Sequence, residues 1–208
     1  MISIIYSCSP ERARKILNRE ATLEMRKIVP KDIEEIIKEQ GGIWVYMYVT
    51  KRKPELYTQM WQFVGNAYQN GKVVARFWFD EYDTYYLERP LNLEITYRGN
   101  GSRNGCEYTK ETKIKLLKKS CLTFQQIWDC GIKRFENQQS MVYALHIKRL
   151  EIFDKPMDLG EFYRFSSRYQ YDFIMKSKMI NEQERKYYIN SFKLQEAPKS
   201  WQYVWVKE

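Results

Sequence analysis

The chain has one histidine, His146, and four cysteines, Cys8, Cys106, Cys121 and Cys130, none in a Cys-x-x-Cys pair. A structural zinc site needs a closer set of soft ligands, so no metal site is expected. Glycine is scarce, and the glycines between Arg98 and Gly105 fit neither a phosphate loop nor a dinucleotide fingerprint. No cofactor is expected. No run of about 20 apolar residues is present to span a bilayer. No basic segment followed by an apolar run marks a secretory leader. The expected setting is soluble, reducing and cytoplasmic, with no membrane partner, and there the sequon Asn100-Gly101-Ser102 has no meaning. No internal repeat or low-complexity linker is visible. The expectation is a single domain over residues 1–208, with insertions around 54–70, 84–119 and 163–195.

Aromatics and positive charge are plentiful. Aromatic residues make up 16% of the chain, and 35 Lys and Arg outnumber 26 Asp and Glu, for a formal net charge of +9. A basic balance favours an anionic partner, nucleic acid first, over a merely solvated surface. Ile2 to Tyr6 reads as a strand. Ser9-Pro10 opens a helix with Ala13, Ile16 and Leu17 as its apolar stripe. Arg12, Arg14, Lys15 and Arg19 point elsewhere, to solvent or to phosphate. Pro30 starts a second helix, with Ile33, Ile36 and Ile37 buried and Gly41-Gly42 ending it.

Ile43 to Thr50 is a strong strand in which Trp44, Tyr46 and Tyr48 alternate with Val45, Met47 and Val49. Lys51-Arg52-Lys53 follows, so an aromatic strand runs into a basic cluster, suited to stacking a base and holding its phosphate. The plainer reading is a core strand with a charged turn. Pro54 to Gln69 reads as an insertion with a helical portion. Lys72 to Asp80 is a long strand with Val74, Arg76, Trp78 and Asp80 on one face. Asp80-Glu81-Tyr82-Asp83 is an acidic end to it, where a carboxylate pair can bind metal or act as acid and base but more often caps a strand in solvent. Leu91 to Tyr97 reads as a strand, Arg98 to Gly105 as a loop, and Lys110 to Lys119 as a basic helix or turn.

Thr123 and Gln126 form a capping box, with Leu122 and Ile127 as its staple. Met141 to Phe153 is a long strand whose phase shifts near Arg149, marking a bulge. His146 on that strand reads as structural rather than catalytic. Asp158 and Glu161 open a short helix, Asn181 and Glu184 another, and Trp201 to Val206 is a closing strand.

The stretch Ile16 to Lys27 organises the rest. It reads as a helix end, a tight turn and a strand. Glu24 and Arg26 project from one strand face, and Leu23 and Met25 from the other. The polar face suits the wall of a pocket.

Several segments together resemble the ASCH family, the activating-signal-cointegrator homology domains of the PUA-like superfamily, in its small bacterial and phage-encoded form. Ile16-Leu17-Asn18-Arg19-Glu20-Ala21-Thr22-Leu23-Glu24-Met25-Arg26 is similar to the pattern I-L-x-G-x-K-T-x-E-x-R. Asn70-Gly71-Lys72-Val73-Val74 resembles N-G-K-V-I-G, and Ser120-Cys121-Leu122-Thr123-Phe124 matches S-C-L-T-F. Leu150 to Pro156 resembles L-x-I-Y-D-K-P, and Pro198-Lys199-Ser200-Trp201 resembles P-Q-S-W. The resemblance implies an α+β fold: a mixed β-barrel with helices at its openings and a cleft lined by the first motif. It also implies RNA or other nucleic acid as partner. Some members are ribonucleases, and some hydrolyse the acetamide of acetylated cytidine with a motif lysine, a threonine three residues on and a distant glutamate. Here the lysine position holds Ala21, the threonine position Glu24, and the usual glycine is Arg19. Without that amine, activation of a nucleophile by the family route is lost.

Three functions are therefore weighed. In a binding module for RNA or single-stranded nucleic acid, Thr22, Glu24, Arg26 and Lys27 line the cleft, Arg26 and the basic helix face with Arg14 and Lys15 hold phosphate, as do Lys51 and Arg52, Glu24 reads an amino group, and Tyr46, Tyr48 or Trp201, next to Ser200, stack a base. In a hydrolase acting on RNA or a modified nucleoside, Glu24 is the catalytic candidate and Arg26 stabilises developing charge. In a protein-interaction module, aromatic insertions take an unidentified protein partner. The plain alternative for Glu24 and Arg26 is an exposed ion pair of little worth.

Overall fold

The computed structural model describes residues 1–51, 71–88, 96–99, 110–134, 139–199 and 201–206. The first elements are β1 (Ser3–Cys8), α1 (Pro10–Leu17), β2 (Leu23–Arg26), α2 (Ile33–Gln40), β3 (Ile43–Val49), β4 (Val73–Phe79), β5 (Tyr82–Glu88) and β6 (Thr96–Gly99). There follow α3 (Lys110–Ser120), α4 (Phe124–Cys130), β7 (Ile132–Arg134), β8 (Gln139–His146) and β9 (Lys148–Met157). The chain then forms a 3-10 turn over Leu159–Glu161, β10 (Phe162–Phe165), α5 (Arg168–Lys176), α6 (Glu182–Ser191) and β11 (Trp201–Val206). The expected α+β class is met. The described strands pair into two sheets, and those pairings close no barrel.

The chain divides into two compact units: Met1–Leu17 with Ile43–Trp78 and Arg149–Glu208, and Asn18–Gly42 with Phe79–Lys148. The first carries a six-stranded sheet in the order β10-β11-β1-β3-β4-β9. β1 runs parallel to β3, with Ile4 opposite Val45, and antiparallel to β11, with Ser3 opposite Val204. Central strands flanked on both sides are apolar on both faces, and Ile4, Ile5, Val45, Met47 and Val204 are fully buried. One face holds a cluster of Ile5, Tyr46, Tyr48, Val73, Phe162, Leu194 and Val204. In α1 the expected stripe is buried, and the Ser9 Oγ accepts the Arg12 backbone N–H at 3.2 Å. Fully burying a side chain such as Ile16 contributes about 2 kcal/mol.

The second unit's sheet runs β2-β8-β5-β6, with β7 also on β8. Leu23, Met25, Tyr85, Leu87, Val142 and Ala144 line one face and meet Leu116, Ile127 and Trp128 from α3 and α4. The α4 capping box forms as read: the Gln126 N–H donates to the Thr123 Oγ1 at 3.2 Å, and the Thr123 N–H to the Gln126 Oε1 at 2.8 Å. Leu122 packs on the same cluster as Ile127. Gly41 ends α2 at φ 73, a conformation glycine adopts without strain.

Some expectations are corrected. Met141 to Phe153 is not one strand. It breaks at Ile147 into β8 and β9, which belong to different sheets, and Arg149 takes φ 46. The phase shift marked this point, and the chain leaves one sheet there. β5 was missed because Asp80, Glu81 and Asp83 read as a solvated strand end. Their charge is instead met by partners: Lys148 Nζ lies 2.8 Å from Asp80 Oδ1, and His146 Nε2 lies 2.8 Å from Asp83 Oδ2. α5 was also missed, although the Ser167 Oγ accepts the Gln170 N–H at 3.2 Å in a standard cap. The Asn181–Glu184 box of α6 forms in both directions. Arg98 lies in β6 rather than in a loop. The insertion at Pro54 to Gln69, the strand's start at Leu91, the loop beyond Asn100, Cys106, Arg52 and Ser200 lie outside the described residues.

Arg19 holds φ 59, in the left-handed region, where the resembled pattern has glycine. The turn geometry is kept at a cost of about 1–2 kcal/mol for an L side chain. Arg19→Gly should therefore stay within about 1 kcal/mol of wild type, and Arg19→Val should lose about 1–2 kcal/mol, measured by chemical unfolding. Thr123→Ala should cost about 1 kcal/mol in the same measurement.

Candidate nucleic-acid interface

Leu23 and Met25 fix β2 on the second unit's core. Glu24 and Arg26 therefore face the other way. Glu24 is only 3% exposed. Its Oε1 lies 2.9 Å from the Arg26 Nη2, and the Arg26 side chain keeps 22% of its surface open. A buried carboxylate alone would be costly, and a charge-assisted bond to a guanidinium offsets that cost. The pair is therefore not a loose surface bridge. Glu24 grips a terminal nitrogen of the Arg26 guanidinium and so restricts its direction.

Register places Leu145 opposite Glu24, Tyr143 opposite Arg26, and Tyr82 opposite Leu145 on the next strand. The rings of Tyr82 and Tyr143 meet edge to face at 5.8 Å. The Tyr82 hydroxyl donates to the Glu34 Oε1 at 2.6 Å. Burial, and then this bond, push its pKa far above the ordinary tyrosine range, so it remains a neutral donor.

Thr22 and Lys27 flank the pair and are exposed. The backbone of Thr22 is pinned, its N–H donating to the Lys119 carbonyl at 2.8 Å and its carbonyl accepting from Ile147 at 3.0 Å. Ala21, at the lysine position of the resembled hydrolases, is 1% exposed.

The other candidates lie in the first unit. Arg14 is half-buried, and Lys15 Nζ lies 3.6 Å from Glu11 across a helix turn. Tyr46 and Tyr48 sit in the core cluster rather than on an open platform. The Tyr46 hydroxyl accepts from the Arg76 Nη1 at 3.2 Å, and burial raises the Tyr48 pKa. Trp201 is half-buried, tilted against Tyr6 at 5.5 Å.

Tyr48 and Lys51 do come together. They line an open hollow of about 640 Å³ with Asp158, Leu159, Lys193 and Ala197, a size that suits a nucleoside. The Lys51 stem lies over Gly71, where a Cβ would stand 2.6 Å from it. Lys72 closes on Asp158 beside it. Arg52 and Ser200 lie outside the described residues.

Sequence reasoning passed over Arg76. Its Nε donates to the Glu151 Oε2 at 2.6 Å, and its guanidinium carbon stands 4.2 Å from the Trp44 ring centre. The available signal was its alternation with Trp78 on β4. Burial alone would lower the Arg76 pKa, and the bonds to Glu151 and Tyr46 more than reverse this, so the net shift is upward. His146 is held by Asp83, with the Glu81 carboxylate 3.9 Å from its Nδ1. Hydrogen bonding to Asp80 raises the pKa of Lys148. Lys148 and His146 thus give the carboxylates of the β4–β5 turn hydrogen-bonding and ionic partners. Among the described residues no group of three or more His, Cys, Asp and Glu is placed to hold a metal. No helix among the described residues is long and apolar enough to cross a membrane.

No family model and no curated protein matches the chain. Among solved structures, it is similar to a crystal structure of ASCH from Zymomonas mobilis, at 12% identity and a TM-score of 0.46, over 99% of this chain and 88% of that one. Two mutant forms of that protein align at TM-scores of 0.45 and 0.44, with 13% and 12% identity, over 99% of this chain and 89% and 91% of theirs. At these values the likeness assigns no activity.

Proposed function

We propose that this chain is an ASCH-type module that binds RNA or single-stranded nucleic acid, with Arg26 as a fixed phosphate contact. The observation that carries the reading is the buried Glu24 carboxylate, bonded at 2.9 Å to the Nη2 of Arg26, whose side chain keeps 22% of its surface open. A preoriented guanidinium loses less freedom when it meets a phosphate. Glu24 is then a positioning residue. Its oxygen is engaged by Arg26, and its burial argues against direct reading of a base. Thr22 and Lys27, at the two ends of β2, add an exposed threonine and an exposed lysine. The net charge of +9 supports capture of a polyanion. The hollow at Tyr48 and Lys51 offers a separate place for a base or a modified nucleoside. Hydrolysis by the resembled route is disfavoured by Ala21, which supplies no amine.

Binding of a labelled single-stranded oligoribonucleotide, followed by anisotropy across a salt series, tests this. The logarithm of affinity should fall linearly with that of salt, by about 0.7 per phosphate neutralised. Arg26→Gln should weaken binding about ten-fold and reduce the slope by about 0.7. Glu24→Gln should weaken binding a few-fold by loosening Arg26. Failure to bind RNA or DNA oligonucleotides, or a salt-independent affinity, removes the proposal.

A further inference from the structure

The face of the six-stranded sheet that carries Tyr46 continues toward the edge strand β9. There it bears Trp44 on β3, Arg76 and Trp78 on β4, and Arg149 and Phe153 on β9. All of these belong to the first unit. The indoles of Trp44 and Trp78 meet edge to face at 5.2 Å. Arg76 is locked against Trp44 by Glu151 and the Tyr46 hydroxyl. The guanidinium carbon of Arg149 stands 5.8 Å from the Trp78 ring centre. Trp44, Trp78 and Phe153 keep part of their surface open, and Arg149 is exposed. Arg76 has its acid, Glu151. Arg149 has none among the described residues.

We infer that this strip is a stacking track for single-stranded nucleic acid, with bases against the open parts of the indoles and Arg149 on the backbone phosphate. The inference rests on the nucleic-acid reading above and adds residues to it. Three observations carry it. Partly open indoles on neighbouring strands stand about one strand spacing apart, so the platform extends beyond one ring. Every base has a π-face, so such a platform binds without sequence preference. The cation at its edge has no carboxylate in ion-pair distance among the described residues, which leaves a place for an anionic backbone rather than for a neutral chain. Arg149 also holds φ 46, immediately after the break between β8 and β9. Irregular backbone of this kind re-aims a side chain, and here the guanidinium is aimed at Trp78. Proline-rich peptides also favour aromatic strips, and a guanidinium with no carboxylate partner among the described residues weighs against them.

The test uses full-length protein with 5′-labelled oligo-U and oligo-dT, which form no internal pairs. Trp78→Leu should lower the affinity for both about ten-fold, with the salt slope unchanged. Arg149→Asn keeps a residue that tolerates the left-handed backbone. It should lower the affinity about three-fold and the slope by about 0.7. Both oligonucleotides should quench indole fluorescence in wild type, and less in Trp78→Leu. If Arg26→Gln weakens binding while both strip variants bind as wild type does, the track is overturned and the broader reading stands. If wild type binds neither oligonucleotide, both fall. A proline-rich peptide that quenches the same fluorescence when neither oligonucleotide does overturns the track in favour of a protein ligand. Arg149 is exposed, so its variant decides the matter even if Trp78→Leu folds poorly.

Discussion

A carboxylate cannot stay inside a protein without a partner, and Glu24 is almost wholly inside. Its partner is Arg26, two residues along the same short strand. That constraint fixes much of the second unit. β2 must keep Leu23 and Met25 on the core so that Glu24 and Arg26 share the other face. A slip of one residue against β8 would place the charged pair among Leu116, Ile127 and Trp128. The turn before it is held by an arginine in a left-handed conformation and by the bond between Thr22 and Lys119. Local strain and a buried charge are thus concentrated around the stretch that carries Arg26.

The two sheets offer different chemistry. In the second unit the Arg26 guanidinium is bonded to a buried acid. In the first, rings and guanidinia alternate over neighbouring strands, and a hollow opens near Tyr48 and Lys51. The first arrangement suits one phosphate, the second suits stacked bases. Both fit a chain with excess positive charge, and neither needs a metal or an activated nucleophile.

Much of this was legible in residue order. The α1 stripe of Ala13, Ile16 and Leu17, the alternation of β2 and β3, and the Thr123–Gln126 box follow from local rules of spacing and capping. The Glu24–Arg26 pairing followed from a two-residue period. Its burial did not, because depth depends on which strands lie alongside. β5 was hidden for a similar reason. Asp83 looks like a solvent residue until His146, 63 positions on, is placed beside it. The break at Ile147 was visible only as a change of phase. That it moves the chain from one sheet to another is a property of the pairing partners. The aromatic strip was the least legible: Trp44, Trp78 and Arg149 belong to three separated strands, and no local pattern links them.

Arginine side-chain NMR gives the most direct view of the central claim. With Arg26 identified by substitution, its Nε–H resonance can be followed as single-stranded RNA is added. The account predicts a progressive shift of that signal, together with the Thr22 and Lys27 amides, reversed by added salt. An Arg26 signal that stays in place while RNA binds and other arginines respond would contradict it.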